Sequence, residues 1–202
     1  MEHRFVDIHS HGDNPLAVSP RMVGIHPWSA ADYHISDADE LSAILSDELS
    51  DAEILGETGL DALCGVDISR QEQLFRAHLM LAERLNLPIV IHAVRMFDHC
   101  LKIVGEYSIR SVVFHGFIGS AEQAARAVQK GYKLSFGMRS FSSPRTVSAM
   151  RSIPIESLFL ESDEESEMIV DIYGRAADIL SLSVDELKQR MWLNMKKFFK
   201  DE

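Results

Sequence analysis

The chain has 202 residues, 46% of them hydrophobic and 25% charged, and a formal net charge of −11. That length suits one domain able to bury roughly 70% of the surface its unfolded form exposes, and the composition excludes an intrinsically disordered chain. The acidic balance, with no long run of lysine and arginine, excludes an extended groove for a nucleic-acid backbone.

The first strand is expected near residues 4 to 9 and runs into Asp7-Ile-His9-Ser-His11. From Gly12 to Arg21 the chain carries Pro15 and Pro20 and is too short for a helical crossover, so an extended loop or small hairpin is expected there. A strand near 22 to 26 ends in Gly24-Ile-His26-Pro-Trp28, and a helix follows near 37 to 50. The next strand, near 53 to 57, carries Gly56-Glu57-Thr-Gly-Leu-Asp61, with a helix near 69 to 86 behind it. Strands near 88 to 92 and 111 to 115 end in His92 and His115, and helices near 96 to 107 and 120 to 130 follow them. Two more strands, near 132 to 136 and 157 to 161, flank a helix near 145 to 151, and the second ends in Leu160-Glu161-Ser-Asp163. Helices near 166 to 181 and 184 to 199 complete the pattern. Ser183 and Glu186 form a capping box, and Val184, Leu187, Met191, Met195 and Phe198 make one apolar stripe behind it.

Apolar strands alternating with longer helical segments indicate an α/β fold, a TIM-type (β/α) barrel in reduced or distorted form. About seven strands are evident, with one βα unit missing after the first strand. No repeat, linker or low-complexity tract divides residues 1 to 202, so a single domain is expected. Cys64 and Cys100 are not in CxxC spacing and read as buried thiols of a reducing compartment. No apolar run approaches the ~20 residues of a membrane span, and Met1-Glu2-His3-Arg4 lacks a signal-peptide core. His9 and His11 lie so near the start that a cleaved leader would remove them; a cytoplasmic location without membrane association is the expectation.

In a parallel barrel the C-terminal ends of the strands converge on one face, so residues far apart in sequence can become neighbours there. Here those ends carry His9, His11, His26, Glu57, His92, His115 and Asp163, all of metal-ligand type. Residues two apart on a strand point the same way, so His9 and His11 can reach one ion, with Asp7 behind them. Nitrogen and carboxylate donors without a thiolate suit zinc, manganese or magnesium and argue against iron–sulfur or Cys-type zinc. A carboxylate such as Glu57 can bridge two such ions, and an ion pair would lower the pKa of a water toward about 7. Hydrolysis is the chemistry that follows.

Taken in order, Asp7-Ile-His-Ser-His11, Gly24-Ile-His-Pro27, Gly56-Glu-Thr-Gly-Leu-Asp61, Gln71 with Phe75, Leu87-Pro-Ile-Val-Ile-His92 with Arg95, His115-Gly-Phe-Ile-Gly119, Leu160-Glu-Ser-Asp163 and Asn194 with Phe198 resemble the motifs of the TatD family. These are metal-dependent deoxyribonucleases and related hydrolases of the amidohydrolase-like superfamily. The resemblance implies two divalent ions, His9, His11 and Asp163 holding one, His92 and His115 the other, and Glu57 shared. It implies that Asp163 orients or deprotonates the attacking water, making Asp163 and Glu57 the catalytic carboxylates. His26 and Arg95 would contact the substrate, a short nucleic acid or small phosphoester, and Asp7 and Asp61 would orient ligands.

Other readings stay open on the sequence. Arg95 could instead form a salt bridge at the mouth of the barrel, and Trp28 is a pocket wall or a packing residue. His34, His78 and His99 have no partner motif, while Asn194 and Phe198 are expected to dock the last helix. The family's extra βα unit is missing, and Glu164, Glu165 and Glu167 stand where an aromatic, proline-rich loop is usual. Those carboxylates would repel a polyanion at short range, so a hydrolase of another small phosphoester or amide, or a non-catalytic metal-binding module, are the alternatives.

Overall fold

The computed structural model describes residues 4–12, 14–163 and 169–200, and among them eight strands and nine α-helices are found. In chain order they are β1 (Phe5–Val6), β2 (Ala17–Val18), β3 (Met22–Val23), α1 (Ala38–Ile44), α2 (Ser46–Leu49), β4 (Ile54–Asp61), α3 (Ile68–Leu85), β5 (Ile89–Val94), α4 (Phe97–Val104), β6 (Val112–Phe114), α5 (Ala121–Gln129), β7 (Lys133–Phe136), α6 (Met138–Phe141), α7 (Pro144–Ser152), β8 (Leu158–Leu160), α8 (Ile169–Leu180) and α9 (Val184–Phe199). Strands and helices alternate as the α/β class requires, and β1 with β2, β3 with β4, β4 with β5 and β7 with β8 are parallel. No described helix is long and apolar enough to cross a membrane. The chain forms two compact units, a first of Met1–Pro20 with Phe114–Glu202 and a second of Arg21–Val113.

In the second unit β3, β4, β5 and β6 follow one another in the sheet. Every residue of β4 is buried except Glu57, as expected of a parallel strand covered on both faces. The pairing of β4 with β5 shifts register between Leu55 and Thr58, an irregularity of the kind that re-aims a side chain, and Glu57 sits inside it. Helix α3 packs on β4, and its Leu74, Phe75, Leu79 and Ala82 are each at most 3% exposed. Each large side chain among them contributes about 1.5–3 kcal/mol by burial. The Asp67 carboxylate caps α3 by accepting from the Ser69 and Arg70 amides, and Asn86, in left-handed backbone at φ 52, ends it.

In the first unit the Arg4 guanidinium donates to the carbonyls of Pro15 and Ala17, both at 2.8 Å, and holds the two-residue strands β1 and β2 together. Beyond β1 the chain runs beside the end of β8. The Ile8 amide donates to the Leu160 carbonyl at 3.1 Å, the Asp163 amide donates to the His9 carbonyl at 3.1 Å, and Ser10 and Asp163 form a parallel bridge. Helix α9 starts at the expected capping box of Ser183 and Glu186. It docks as expected: Asn194 Nδ2 donates to the carbonyls of Ile155 and Leu158 at 2.7 and 2.8 Å, and Phe198 meets Phe159 edge-on at 5.5 Å. The buried Tyr173 hydroxyl of α8 donates to the Val6 carbonyl at 2.8 Å and accepts from the Val6 amide at 3.0 Å.

The structure differs from the expected elements in three places. The interval after β1 is not a plain loop or a hairpin: it carries β2, which is parallel to β1, and no helix is described between them. The expected helix over 37 to 50 breaks at Leu45 into α1 and α2, and the short α6 precedes α7. The expected start of the helix near 166 lies outside the described residues; among those described, α8 covers Ile169–Leu180.

Candidate metal centre

Two groups of donors stand out, one in each unit. In the first unit the backbone pairing after β1 sets His9 and His11 beside Asp163. His9 Nε2 lies 3.5 Å from Asp163 Oδ1, and His11 Nε2 lies 3.7 Å from the same oxygen. The three residues each offer a ligand atom within 4.8 Å of the others. Around an ion with bonds of about 2.0–2.2 Å, tetrahedral ligand atoms stand about 3.4 Å apart, so this spacing fits a divalent cation. His9 is buried, whereas the His11 side chain is 47% exposed, which leaves the group an open side. Asp163 takes left-handed backbone at φ 53, a conformation that Asp tolerates better than most side chains, and amide bonds on both sides of it fix that geometry.

His115, just beyond β6, packs its ring 4.4 Å from that of His9, and its Nδ1 lies 3.4 Å from Glu161 Oε1. His115, Glu161 and Asp163 make a further set of donors within 4.8 Å. Glu161 is buried and accepts a short hydrogen bond from the Ser135 hydroxyl. Glu161 was not among the residues assigned a role from the sequence, although two acids two apart at a strand end share a face. Asp7 is fully buried and accepts from the Ser162 amide at 2.9 Å and the Ser162 hydroxyl at 2.6 Å. Burial raises its carboxyl pKa to about 6 against the opposing pull of those bonds. Asp7 therefore ties the run carrying His9 to the residue preceding Asp163.

In the second unit His26, Glu57 and His92 offer ligand atoms within 4.8 Å. His92 lies between two acids, with Nδ1 3.2 Å from Glu57 Oε2 and Nε2 3.2 Å from Asp61 Oδ2. A histidine that donates one N–H to a carboxylate has its ring oriented and the other nitrogen directed to an ion, the arrangement common around zinc. Gly59, at φ +145, makes the close approach possible, since a Cβ there would sit 2.0 Å from the His92 carbonyl oxygen. His26 caps the short turn Pro27–Ser29, its Nδ1 accepting from the Trp28 amide at 3.3 Å. On the other side of the ring, His26 Nε2 lies 3.4 Å from Glu57 Oε1.

Asp61 collects three donors: Trp28 Nε1 at 2.7 Å and His92 Nε2 on Oδ2, and the Leu63 amide at 2.7 Å on Oδ1. Burial pushes the Asp61 carboxyl up, but these bonds outweigh it and hold the pKa below the usual range. Gln71 braces the same strand end, accepting from the Asp61 amide at 2.7 Å and donating to its carbonyl at 3.0 Å. His78, bland in the sequence, is fully buried; its Nδ1 donates to the Leu74 carbonyl at 2.9 Å and its Nε2 accepts from the Ile25 amide at 3.0 Å, next to His26. His99 is a surface partner of Glu72 at 3.3 Å. Arg95 follows β5 in left-handed backbone at φ 56, exposed, and among the described residues no ion pair holds it. The expected partnership of His92 with His115, and the sharing of Glu57, join residues of different units and remain expectations from the sequence.

Comparison with known proteins agrees with this chemistry. The model of the TatD related DNase family matches residues 17–200. An Escherichia coli K12 protein named as an uncharacterized metal-dependent hydrolase, YjjV, is 34% identical over 147 residues, covering 70% of this chain and 56% of that protein. A second curated match covers 49% of its own length, so the chain spans about half the length of the curated relatives it matches. The crystal structure of YjjV, a TatD homolog, superposes with a TM-score of 0.77 at 25% identity over 94% of this chain and 79% of that one. A TatD family hydrolase from Entamoeba histolytica gives a TM-score of 0.75 at 20% identity, over 90% and 74% of the two chains. The chain belongs to the TatD-related DNase family.

Proposed function

We propose that residues 1–202 act as one metal-dependent hydrolase that cleaves phosphodiesters in short nucleic acids, using two divalent ions of zinc, manganese or magnesium. The observation that carries this reading is that each unit holds a nitrogen-and-carboxylate group, His9–His11–Asp163 in the first and Glu57–His92 in the second, with ligand atoms within 4.8 Å of one another inside each group. Donors of this kind fit hard or borderline divalent cations, and the family model that matches is that of a DNase. His9, His11 and Asp163 would hold one ion, and Glu57 and His92 would contribute to the other. When bound, such ions lower the pKa of water and offset charge on the phosphoryl oxygens.

The chain's own residues have the remaining tasks. Asp163 takes the proton as the water oxygen bonds to phosphorus and the ester P–O bond breaks, the leaving oxygen acquiring a proton in turn. Asp61 fixes the ring of His92, and Asp7 fixes the backbone that presents Asp163. Arg95, with its planar fork of donors, and His26 contact the phosphate oxygens. The acidic chain limits the substrate to few phosphates, because each further phosphate adds repulsion that a short oligonucleotide avoids. The test is cleavage of a single-stranded oligonucleotide by metal-loaded protein, abolished by a chelator and restored by added divalent ion. Intact substrate across neutral pH with both ions bound would refute the proposal, and turnover of a small neutral amide alone would move the activity to another substrate class.

A further inference from the structure

A tryptophan is normally drawn inward, because its ring carries the largest apolar surface of any side chain and its single N–H needs a partner when buried. Trp28 satisfies only half of that rule. The residue is 56% exposed, yet its Nε1 donates at 2.7 Å to Oδ2 of Asp61, which is 3% exposed. The polar end is thus pinned to a buried carboxylate while more than half of the residue stays open to solvent. The His26 ring meets Trp28 edge-on with centroids 4.9 Å apart, and the Trp28 amide donates to His26 Nδ1, so backbone, ring and N–H are all fixed. Asp61 Oδ2 is also the oxygen that orients His92. Leu63, 59% exposed, hangs from the other oxygen of the same carboxylate through its amide. Two exposed apolar side chains are therefore anchored to the acid that sets a candidate metal ligand.

We infer that Trp28 is the platform on which a nucleobase of the substrate stacks, so that the enzyme selects phosphodiesters carrying a base next to the bond to be cleaved. This rests on the phosphodiesterase reading above and adds the substrate feature that is recognised. A pre-oriented indole suits the task because every base has a π face, and stacking needs no positive charge. It supplies affinity that a chain of net charge −11 cannot draw from phosphate contacts alone. Held through Asp61, a stacked base would also lie at a fixed offset from the Glu57–His92 donors.

The experiment uses the full chain carrying Trp192→Phe, which leaves Trp28 as the only indole of the two in the sequence. Its fluorescence is titrated, with EDTA present so that nothing turns over, against the thymidine dinucleotide pdTpdT and against an abasic counterpart bearing the same phosphates. The expected result is quenching by the dinucleotide and none by the abasic compound. With metal restored, Trp28→Ala should raise KM for the dinucleotide about five- to tenfold more than it raises KM for the abasic substrate, the lower part of the range for losing a base–aromatic stack. Trp28→Phe, which keeps a ring but loses the bond to Asp61, should fall between wild type and Trp28→Ala. Absent quenching, or equal changes on both substrates, overturns the inference, the latter marking Trp28 as a prop for Asp61 alone. If the wild-type chain turns over neither substrate, the hydrolase reading has failed, and quenching by itself still decides whether the base is stacked.

Discussion

The first unit and the second hold their donors by different means. His9, His11 and Asp163 are placed by backbone: the run after β1 hydrogen-bonds to the end of β8, and Asp7 clasps Ser162. Glu57 and His92 are placed by side chains, since the register irregularity of β4 turns Glu57 and the carboxylate of Asp61 holds His92. A donor group set by backbone resists single side-chain changes other than those of its own ligands. A group set by a chain of side chains transmits the loss of any link. The two groups should therefore respond differently to substitutions that leave every ligand in place.

The largest expected effect is at Asp163, the acid on which the proposed proton transfer depends. Asp163→Asn should lower kcat roughly 10²- to 10⁴-fold with the fold intact, as circular dichroism and the oligonucleotide assay would show together. Unchanged turnover would remove Asp163 from the chemistry and leave the first unit a binding site only.

Next comes an acid sensitivity confined to the second unit. Complete burial lowers the pKa of His78 from 6.5 to about 4, against the opposing hydrogen bond to the Leu74 carbonyl. The unfolded chain therefore binds the proton more readily than the folded one. Stability from this group is fully present above pH 6.5 and is lost as pH falls through about 4, by roughly 3 kcal/mol in all. His78→Gln cannot take up that proton, so the difference between wild-type and variant urea midpoints should turn against the wild type over this window. A difference independent of pH would contradict the neutral, buried assignment.

Smaller, but more telling for the comparison, is Asp61→Asn. Removing the carboxylate that orients His92 should weaken metal binding in the second unit about 10- to 100-fold and leave the first unit's affinity unchanged, measurable by calorimetric titration. Equal weakening in both would break the distinction drawn between backbone and side-chain placement. Least of all, Ser183→Ala removes the capping box of α9 and should cost about 1 kcal/mol of stability, seen as a lower urea midpoint, without altering either affinity.

How far the sequence revealed all this follows from the range of the interactions involved. Helices α3, α5 and α9 announce themselves through local signals, and the structure shows Asp67, Ser120 and Ser183 at their caps. His115 and Asp163 were legible because apolar runs stop just before them, whereas β5 continues past His92 to Val94 and β4 past Glu57 to Asp61, so those two donors lie inside their strands rather than at the expected ends. Strand β2 was not legible: two residues between Pro15 and Pro20 have no period to read, and the Arg4 bonds that hold it span 11 and 13 residues. Glu161 stood in the shadow of Asp163: the two share a strand-end face, and nothing local says that Glu161 also meets His115, 46 residues away. The bond from Trp28 to Asp61 crosses 33 residues, and that from Ile25 to His78 crosses 53, so no local pattern could announce either. The TatD-like motifs named the strand ends; which side chain steadies which ligand had to come from tertiary contacts.

The most direct test is the metal content of three purified chains after saturation with zinc and gel filtration: wild type, His9→Ala and His92→Ala. The account predicts two ions per wild-type chain and one in each variant, with His9→Ala losing the ion of the first unit and His92→Ala that of the second. Fewer than two ions in the wild type, or the loss of both from either variant, would contradict it.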